Sequence, residues 1–270
     1  MASEECEALN PSSYGVFIPG EAGRLFAQIY VPCGNPPHST VILCHGFPGN
    51  ERIMDFATTL RDHGFCTIHF HYRGSWGSDG SYTFNGAMDD GDAVLNYALE
   101  NREGFFDTSK ILILGHSLGG LVAAKMLATR KETIGGALLM PGDVKYIFVD
   151  QMADPELHDF LYAAFSEGCE WVKDCTCDGL IEEACASPEQ FMLPTYAAGL
   201  SVKPVLLANG SLDPIITRDG HIDPLVNAVA AHGGEKLTTR TYETDHGFNL
   251  NREFIKEDIC NYLKQVLSEI

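Results

Sequence analysis

The sequence carries little positive charge. Its 270 residues include 18 Lys and Arg against 37 Asp and Glu, which gives a formal net charge of −19. So acidic a surface repels phosphate backbones and anionic lipid headgroups, which argues against nucleic acid and membranes as partners. The sequence also lacks an apolar run of about 18 residues, the length that a membrane-spanning helix needs.

The first ten residues, MASEECEALN, show neither the basic stretch nor the apolar stretch of a secretory signal peptide. The nine cysteines are an odd number, and cysteines without an export signal are typical of a reducing compartment. We therefore expect reduced thiols in a cytoplasmic protein.

Apolar residues make up 45% of the chain and occur in short runs, enough for one large core. Two early runs, 14–19 and 24–31, predict an antiparallel hairpin. Later runs alternate with helical stretches, the pattern of an α/β protein with a mostly parallel sheet covered on both faces. The later predicted strands are 40–44, 66–72, 111–114, 136–140, 204–208 and 237–242, and the predicted helices lie near 51–62, 87–101, 118–130, 220–232 and 251–268.

Residues 141–200 interrupt this alternation. They contain 12 Asp and Glu but only 2 Lys and Arg, so they carry −10 of the total charge of −19. Segments 159–165 and 179–184 look helical. The sequence thus predicts a core made of residues 1–140 and 201–270, with an inserted, mostly helical cap at 141–200.

The strongest chemical motif is Gly-His-Ser-Leu-Gly at 115–119, a G-x-S-x-G pattern between a predicted strand and a predicted helix. The turn is so tight that the residues two before and two after the serine must be small, and Gly115 and Gly119 satisfy this need. Ser117 is therefore the predicted nucleophile.

A serine hydroxyl needs a base to accept its proton, and the base needs a carboxylate that orients it. His246 follows the last predicted strand, at the same edge of the sheet as Ser117, and is the predicted base. Asp213 follows the strand before it and is the predicted acid, with Asp219 and Asp223 as alternatives.

The segment His-Gly-Phe-Pro-Gly after the strand at 40–44 predicts an oxyanion hole. Its small residues allow backbone amides to turn towards a developing negative charge. The expected donors are the amides of Phe47 and of Leu118, which begins a helix.

Ser117, Asp213 and His246 occur in the chain order of the α/β-hydrolase family, which residues 24–270 resemble. The segment His-Tyr-Arg-Gly-Ser-Trp-Gly-Ser-Asp-Gly at 71–80 and the short acidic cap are similar to prolyl-oligopeptidase-like and feruloyl (cinnamoyl) esterases. The resemblance implies the α/β-hydrolase fold with an eight-stranded sheet, and ester hydrolysis through an acyl-enzyme. Such a mechanism needs no cofactor and no metal.

We therefore predict a serine carboxylesterase whose substrates are small, aromatic acyl esters such as hydroxycinnamates. Short-chain acyl esters, a peptidase activity and a ligand-sensing receptor remain alternatives, and a homodimer stays open.

Several weaker signals have more than one interpretation. Arg73 holds its loop through Asp79 or a nearby carboxylate, or binds a substrate carboxylate. His69 and His71 share one face of a strand and pack there, or bind a metal. The cap holds four cysteines that are ordinary thiols, a disulfide or a metal site: Cys169, Cys175, Cys177 and Cys185. Its aromatic residues pack the cap or line an acyl pocket: Tyr146, Phe148, Phe160, Tyr162, Phe165, Trp171, Phe191 and Tyr196.

Overall fold

The computed structural model describes residues 9–49 and 53–269. Its strands are β1 (Ser12–Gly20), β2 (Gly23–Val31), β3 (His38–Cys44), β4 (Cys66–Phe70), β5 (Phe106–His116), β6 (Thr133–Leu139), β7 (Val205–Gly210) and β8 (Leu237–Tyr242). They form one sheet in the order β1-β2-β4-β3-β5-β6-β7-β8. β2 pairs antiparallel with both β1 and β4, and the other pairs are parallel. The predicted fold class is confirmed.

The central strands are apolar on both faces because helices cover both sides of the sheet. In β3 the residues Val41, Ile42 and Leu43 are all fully buried. β5 begins at Phe106, five residues earlier than the sequence predicts. Residues 107–110 are polar, so the sequence does not indicate a strand there. In the structure this part of β5 joins β3 only through the pair His38 and Phe106, before a shift in register.

The helices are α1 (Met54–Asp62), α2 (Phe84–Glu100), α3 (Leu118–Thr129), α4 (His158–Cys169), α5 (Cys177–Ala186), α6 (Ala197–Leu200), α7 (Asp223–Ala231) and α8 (Arg252–Ser268). α2 begins three residues before its predicted start. The Thr83 side chain accepts a hydrogen bond from the Gly86 amide (2.8 Å) and so caps the helix there. The predicted start of the first helix, 51–52, lies outside the described residues.

Between β6 and β7 the chain forms α4, α5 and α6, together with short helical turns at Tyr146–Gln151, Pro188–Phe191 and Leu193–Tyr196. This inserted segment (residues 141–200) packs on α2 through aromatic rings. Phe84 of α2 contacts Phe148 and Phe191, with ring centroids 5.0 and 5.9 Å apart. Its division from the rest of the chain as a separate cap stays a prediction.

No helix within residues 9–49 and 53–269 combines the length and the apolar character that crossing a bilayer requires.

Candidate active site

Ser117 lies in a strained turn between β5 and α3, with φ 57° and ψ −123°. This left-handed backbone is unfavourable for a residue with a side chain, so the surrounding contacts must hold it. A Cβ atom on Gly115 would collide with the Gly119 backbone, and one on Gly119 would collide with the Cys44 carbonyl. Glycine is therefore required at both positions of the motif.

The structure brings the three predicted polar residues together. His246 Nε2 lies 3.1 Å from Ser117 Oγ, and His246 Nδ1 lies 2.7 Å from Asp213 Oδ2. The Asp213 carboxylate is fully buried, and the His246 side chain is 12% exposed. A proton on Nδ1 is thus held by the carboxylate, which leaves Nε2 free to accept the serine proton.

Asp213 follows β7 in a tight loop. Its Oδ1 atom accepts hydrogen bonds from the amides of Ile215 (2.8 Å) and Ile216 (3.0 Å). Burial by itself would raise the pKa of Asp213, but the hydrogen bond and charge of His246, together with these two amides, lower the pKa below its ordinary value. The carboxylate is therefore ionised at neutral pH.

The structure gives the two alternative carboxylates other partners. Asp223 pairs with Arg218 (3.0 Å) at the surface. Asp219 is exposed, and a hydrogen bond from the Thr217 side chain lowers its pKa.

The residues of the two predicted oxyanion donors line the same cavity as Ser117. Gly46 packs so closely on the serine that a Cβ there would be 2.9 Å from the Ser117 Cβ. Phe47 follows it and lines the same cavity as Ser117 and Leu118. Leu118 is the first residue of α3, where the helix leaves its backbone N–H groups without intrahelical acceptors.

Two histidines that sequence analysis missed support this arrangement. His116 Nε2 donates to the His246 carbonyl (3.0 Å), and the two rings lie 4.8 Å apart. His221 Nδ1 accepts the Asp143 amide (3.0 Å) and so ties the chain after β7 to the chain after β6. His116 occupies a variable position of the motif, and His221 lies in a predicted helix, so neither had a distinctive signal.

A cavity of about 230 Å³ opens above Ser117. Rings from two parts of the chain meet in its wall: the centroid of Phe165 lies 4.4 Å from that of Phe148 and 6.0 Å from that of Phe47. The described lining residues include no Asp, Glu, Lys or Arg. The other apolar side chains of the lining are Pro48, Ile53, Phe84, Leu118, Val144, Ile147, Phe160, Leu161, Ala164, Ile215 and Ile216.

The structure sorts the aromatic residues of the inserted segment. Phe148, Phe160 and Phe165 line the cavity. Phe191 packs on α2, and Trp171 stacks on Trp76. Both interpretations of these aromatic residues therefore hold, for different side chains.

Arg73 has a structural partner. Its Nη2 lies 2.8 Å from Asp90 Oδ1 in α2, and its amide donates to Asp90 Oδ2 (2.7 Å). Asp79 instead pairs with Arg24 (3.0 Å). The nearby carboxylate that holds the loop is thus Asp90.

His69 and His71 pack with His45 beside the 45–49 loop and form a buried histidine cluster (His45, His69 and His71). Their ring centroids lie 5.2 to 6.2 Å apart. Burial lowers their pKa values to about 4 (His45), about 3 (His69) and about 2 (His71), so the rings are neutral. No group of three or more His, Cys, Asp or Glu in the described part of the chain is arranged to hold a metal ion.

Among the curated relatives, two examples each align with about half of the chain. An uncharacterized 31.7 kDa protein of Escherichia coli is 35% identical over 139 residues, 48% of this chain and 47% of that protein. Human acylamino-acid-releasing enzyme is 30% identical over 154 residues, 49% of this chain and 21% of that enzyme. The chain thus spans about half the length of the first relative and less of the second.

The solved structure of Est1E from Butyrivibrio proteoclasticus with bound ferulic acid has the same fold. It aligns with 94% of this chain and 99% of its own, with a TM-score of 0.67 and 22% sequence identity. The alpha/beta hydrolase family itself matches residues 41–253, which is most of the sequence. The chain belongs to the alpha/beta hydrolase family.

Proposed function

We propose that this chain is a serine esterase that hydrolyses small esters with aromatic acyl groups. The observation that carries the proposal is the hydrogen-bonded series Ser117, His246 and Asp213, with distances of 3.1 and 2.7 Å, at the base of an aromatic cavity. A serine with this base and this acid is the usual nucleophile of acyl transfer.

In the proposed reaction, Ser117 Oγ attacks the ester carbonyl while His246 Nε2 accepts its proton. The amides of Phe47 and Leu118 donate to the negative oxygen of the tetrahedral intermediate. His246 then gives the proton to the departing alkoxide, which leaves as an alcohol. Water attacks the acyl-enzyme in the same way and releases the carboxylic acid and Ser117. Asp213 keeps His246 in the required tautomer throughout.

The cavity wall supports the acyl preference. Phe47, Phe148 and Phe165 form an aromatic surface on which a planar ring can pack with offset or edge-to-face geometry. A charged acyl group would lose its hydration there without meeting a counter-charge among the described lining residues. The ferulic acid bound to Est1E is an aromatic acid of the proposed class.

The test is hydrolysis of a p-nitrophenyl acyl series, methyl ferulate and an aminoacyl anilide by the purified protein. We expect turnover of methyl ferulate and short acyl esters, and a loss of about 10⁴-fold or more in Ser117→Ala. Ser211→Ala removes an exposed hydroxyl outside the cavity and should keep wild-type rates. Wild-type activity in Ser117→Ala would overturn the proposal.

A peptidase is the second candidate, and the similarity to human acylamino-acid-releasing enzyme favours it. Release of aniline from the aminoacyl anilide that is faster than release of methanol from methyl ferulate would favour the peptidase. Turnover of neither substrate class would instead favour a ligand-sensing role.

A further inference from the structure

Two cysteine thiols of the inserted segment lie against each other. Cys169 is the last residue of α4, Cys175 precedes α5, and their Sγ atoms share a hydrogen bond of 3.1 Å. Both are free thiols. A disulfide places its sulfur atoms about 2.05 Å apart, so a movement of about 1 Å would allow the bond to form.

The two thiols differ in access and in acidity. Cys169 is buried with 6% of its surface exposed, whereas Cys175 is only partly buried. At this distance the Cys169 thiol can donate to Cys175 once Cys175 has lost its proton, and this lowers the pKa of Cys175. An external oxidant therefore reaches Cys175 first, and Cys169 lies ready to resolve the product.

The loop between these cysteines joins the inserted segment to the chain after β4. The Lys173 amide donates to the Gly74 carbonyl (2.7 Å), and the Lys173 carbonyl accepts the Tyr82 amide (3.0 Å). Ser81 Oγ donates to the Asp174 carboxylate (2.7 Å). A disulfide between Cys169 and Cys175 would thus join the end of α4 to a loop that is hydrogen-bonded to the chain after β4.

The same loop carries one of the two tryptophans in the sequence. Trp171 stacks on Trp76 with ring centroids 6.1 Å apart, and Trp76 Nε1 donates to the Pro48 carbonyl (3.3 Å). Pro48 follows Phe47, and both line the active-site cavity. Gly168, the residue before Cys169, lies so close to the Phe47 ring that a Cβ there would collide with it. The loop is therefore linked to the cavity wall through Trp76, and the end of α4 contacts that wall directly.

We propose that Cys169 and Cys175 form a reversible dithiol–disulfide site that fixes the loop at residues 170–174, here called the Trp171 loop, beside the cavity. With a low-molecular-weight disulfide as oxidant, the Cys175 thiolate attacks one sulfur and releases a thiolate. The Cys169 thiolate then attacks Cys175 Sγ and releases the second. Two electrons pass to the oxidant, and the two cysteine protons end on the two released thiols. The inference does not depend on the proposed esterase function.

The experiment equilibrates the full chain in buffers of reduced and oxidised glutathione, blocks the remaining thiols with iodoacetamide, and maps the peptides by mass spectrometry. We expect a Cys169–Cys175 linkage that dithiothreitol removes and that Cys175→Ser and Cys169→Ser both lack. Cys185→Ser changes an exposed cysteine and should keep the linkage.

Tryptophan fluorescence provides an independent measurement on the same samples. The emission spectrum should change on oxidation and recover on reduction in wild type and Cys185→Ser, and stay constant in Cys175→Ser. Alkylation of both Cys169 and Cys175 throughout the titration, or a linkage through Cys177 instead, would overturn the dithiol site. A Cys169–Cys175 linkage without any change in emission would refute its effect on the Trp171 loop.

Discussion

The substitution Asp213→Asn tests the role of the buried carboxylate by changing one atom. Asp213 Oδ1 accepts the amides of Ile215 and Ile216, so the oxygen of the new side-chain amide is held at that position. Its NH₂ group then occupies the place of Oδ2, 2.7 Å from His246 Nδ1. An NH₂ group only donates, so His246 must carry its proton on Nε2 instead. In that tautomer Nε2 donates towards Ser117 and does not accept the serine proton.

The expected effect is on turnover. A wrong histidine tautomer with intact geometry reduces kcat by about 10⁴-fold in the serine-protease template, which is about 5 kcal/mol of transition-state stabilisation. Asp213 does not line the cavity, so KM should change little.

The assay is steady-state hydrolysis of a p-nitrophenyl ester by wild type and variant, with circular dichroism to confirm the fold. Asp219→Asn is the matched control, because Asp219 is an exposed carboxylate six residues away and should keep wild-type kcat. If Asp213→Asn retained kcat within tenfold of wild type, the tautomer argument would be refuted. A large loss of kcat in Asp219→Asn would show that Asp219 has the role assigned to Asp213.

Three further substitutions or conditions test other parts of the structure. Phe165→Ala removes a ring of the cavity wall and should lower kcat/KM for methyl ferulate about tenfold relative to p-nitrophenyl acetate, which kinetics with both esters will measure. Asp90→Asn leaves the buried Arg73 guanidinium with the exposed Glu21 carboxylate, 4.0 Å away, as its remaining ion-pair partner. It should lower the free energy of unfolding by about 3 kcal/mol in urea titrations, and an unchanged midpoint would contradict this. Burial keeps the three histidines of the cluster neutral in the folded chain, whereas in the unfolded chain they bind protons below their ordinary pKa of 6.5. The free energy of unfolding should therefore fall from pH 6.5 towards pH 4. In thermal unfolding experiments the free energy of unfolding of His69→Gln should change less steeply with pH than that of wild type, by about 1.4 kcal/mol per pH unit. An unaltered slope would count against the histidine cluster as the source of the pH dependence.

The sheet and the position of the polar site residues were predictable from sequence because both follow from a local rule. Parallel strands end at one edge of the sheet, so residues that directly follow different strands meet there although they are far apart in the chain. Ser117 and His246 are 129 residues apart and form a 3.1 Å hydrogen bond. The motif around Ser117 is local as well, since its two glycines are needed by the turn itself.

The partners of Arg73 and the cavity lining were less predictable because they depend on how helices pack. Asp90 reaches Arg73 only because α2 runs beside the loop after β4, and nothing in the spacing separates it from Asp79. Likewise, Phe160 lines the cavity because α4 packs beside it, whereas Phe191 lies in the turn Pro188–Phe191 and packs on Phe84 of α2. Neither placement can be predicted from the residues next to each phenylalanine.

The candidate site therefore combines two kinds of structure that differ in how well they tolerate substitutions. Ser117, His246 and Asp213 stand on turns at the ends of sheet strands, where backbone hydrogen bonds and two obligatory glycines fix their positions. The aromatic wall of the cavity includes rings on α4 and on the turn before it, which contact each other without any directional bond. Ring packing adapts to changes in shape more easily than a strained turn does. Substitutions at the strand ends should thus reduce kcat for every ester alike, whereas substitutions on α4 should change which ester is preferred.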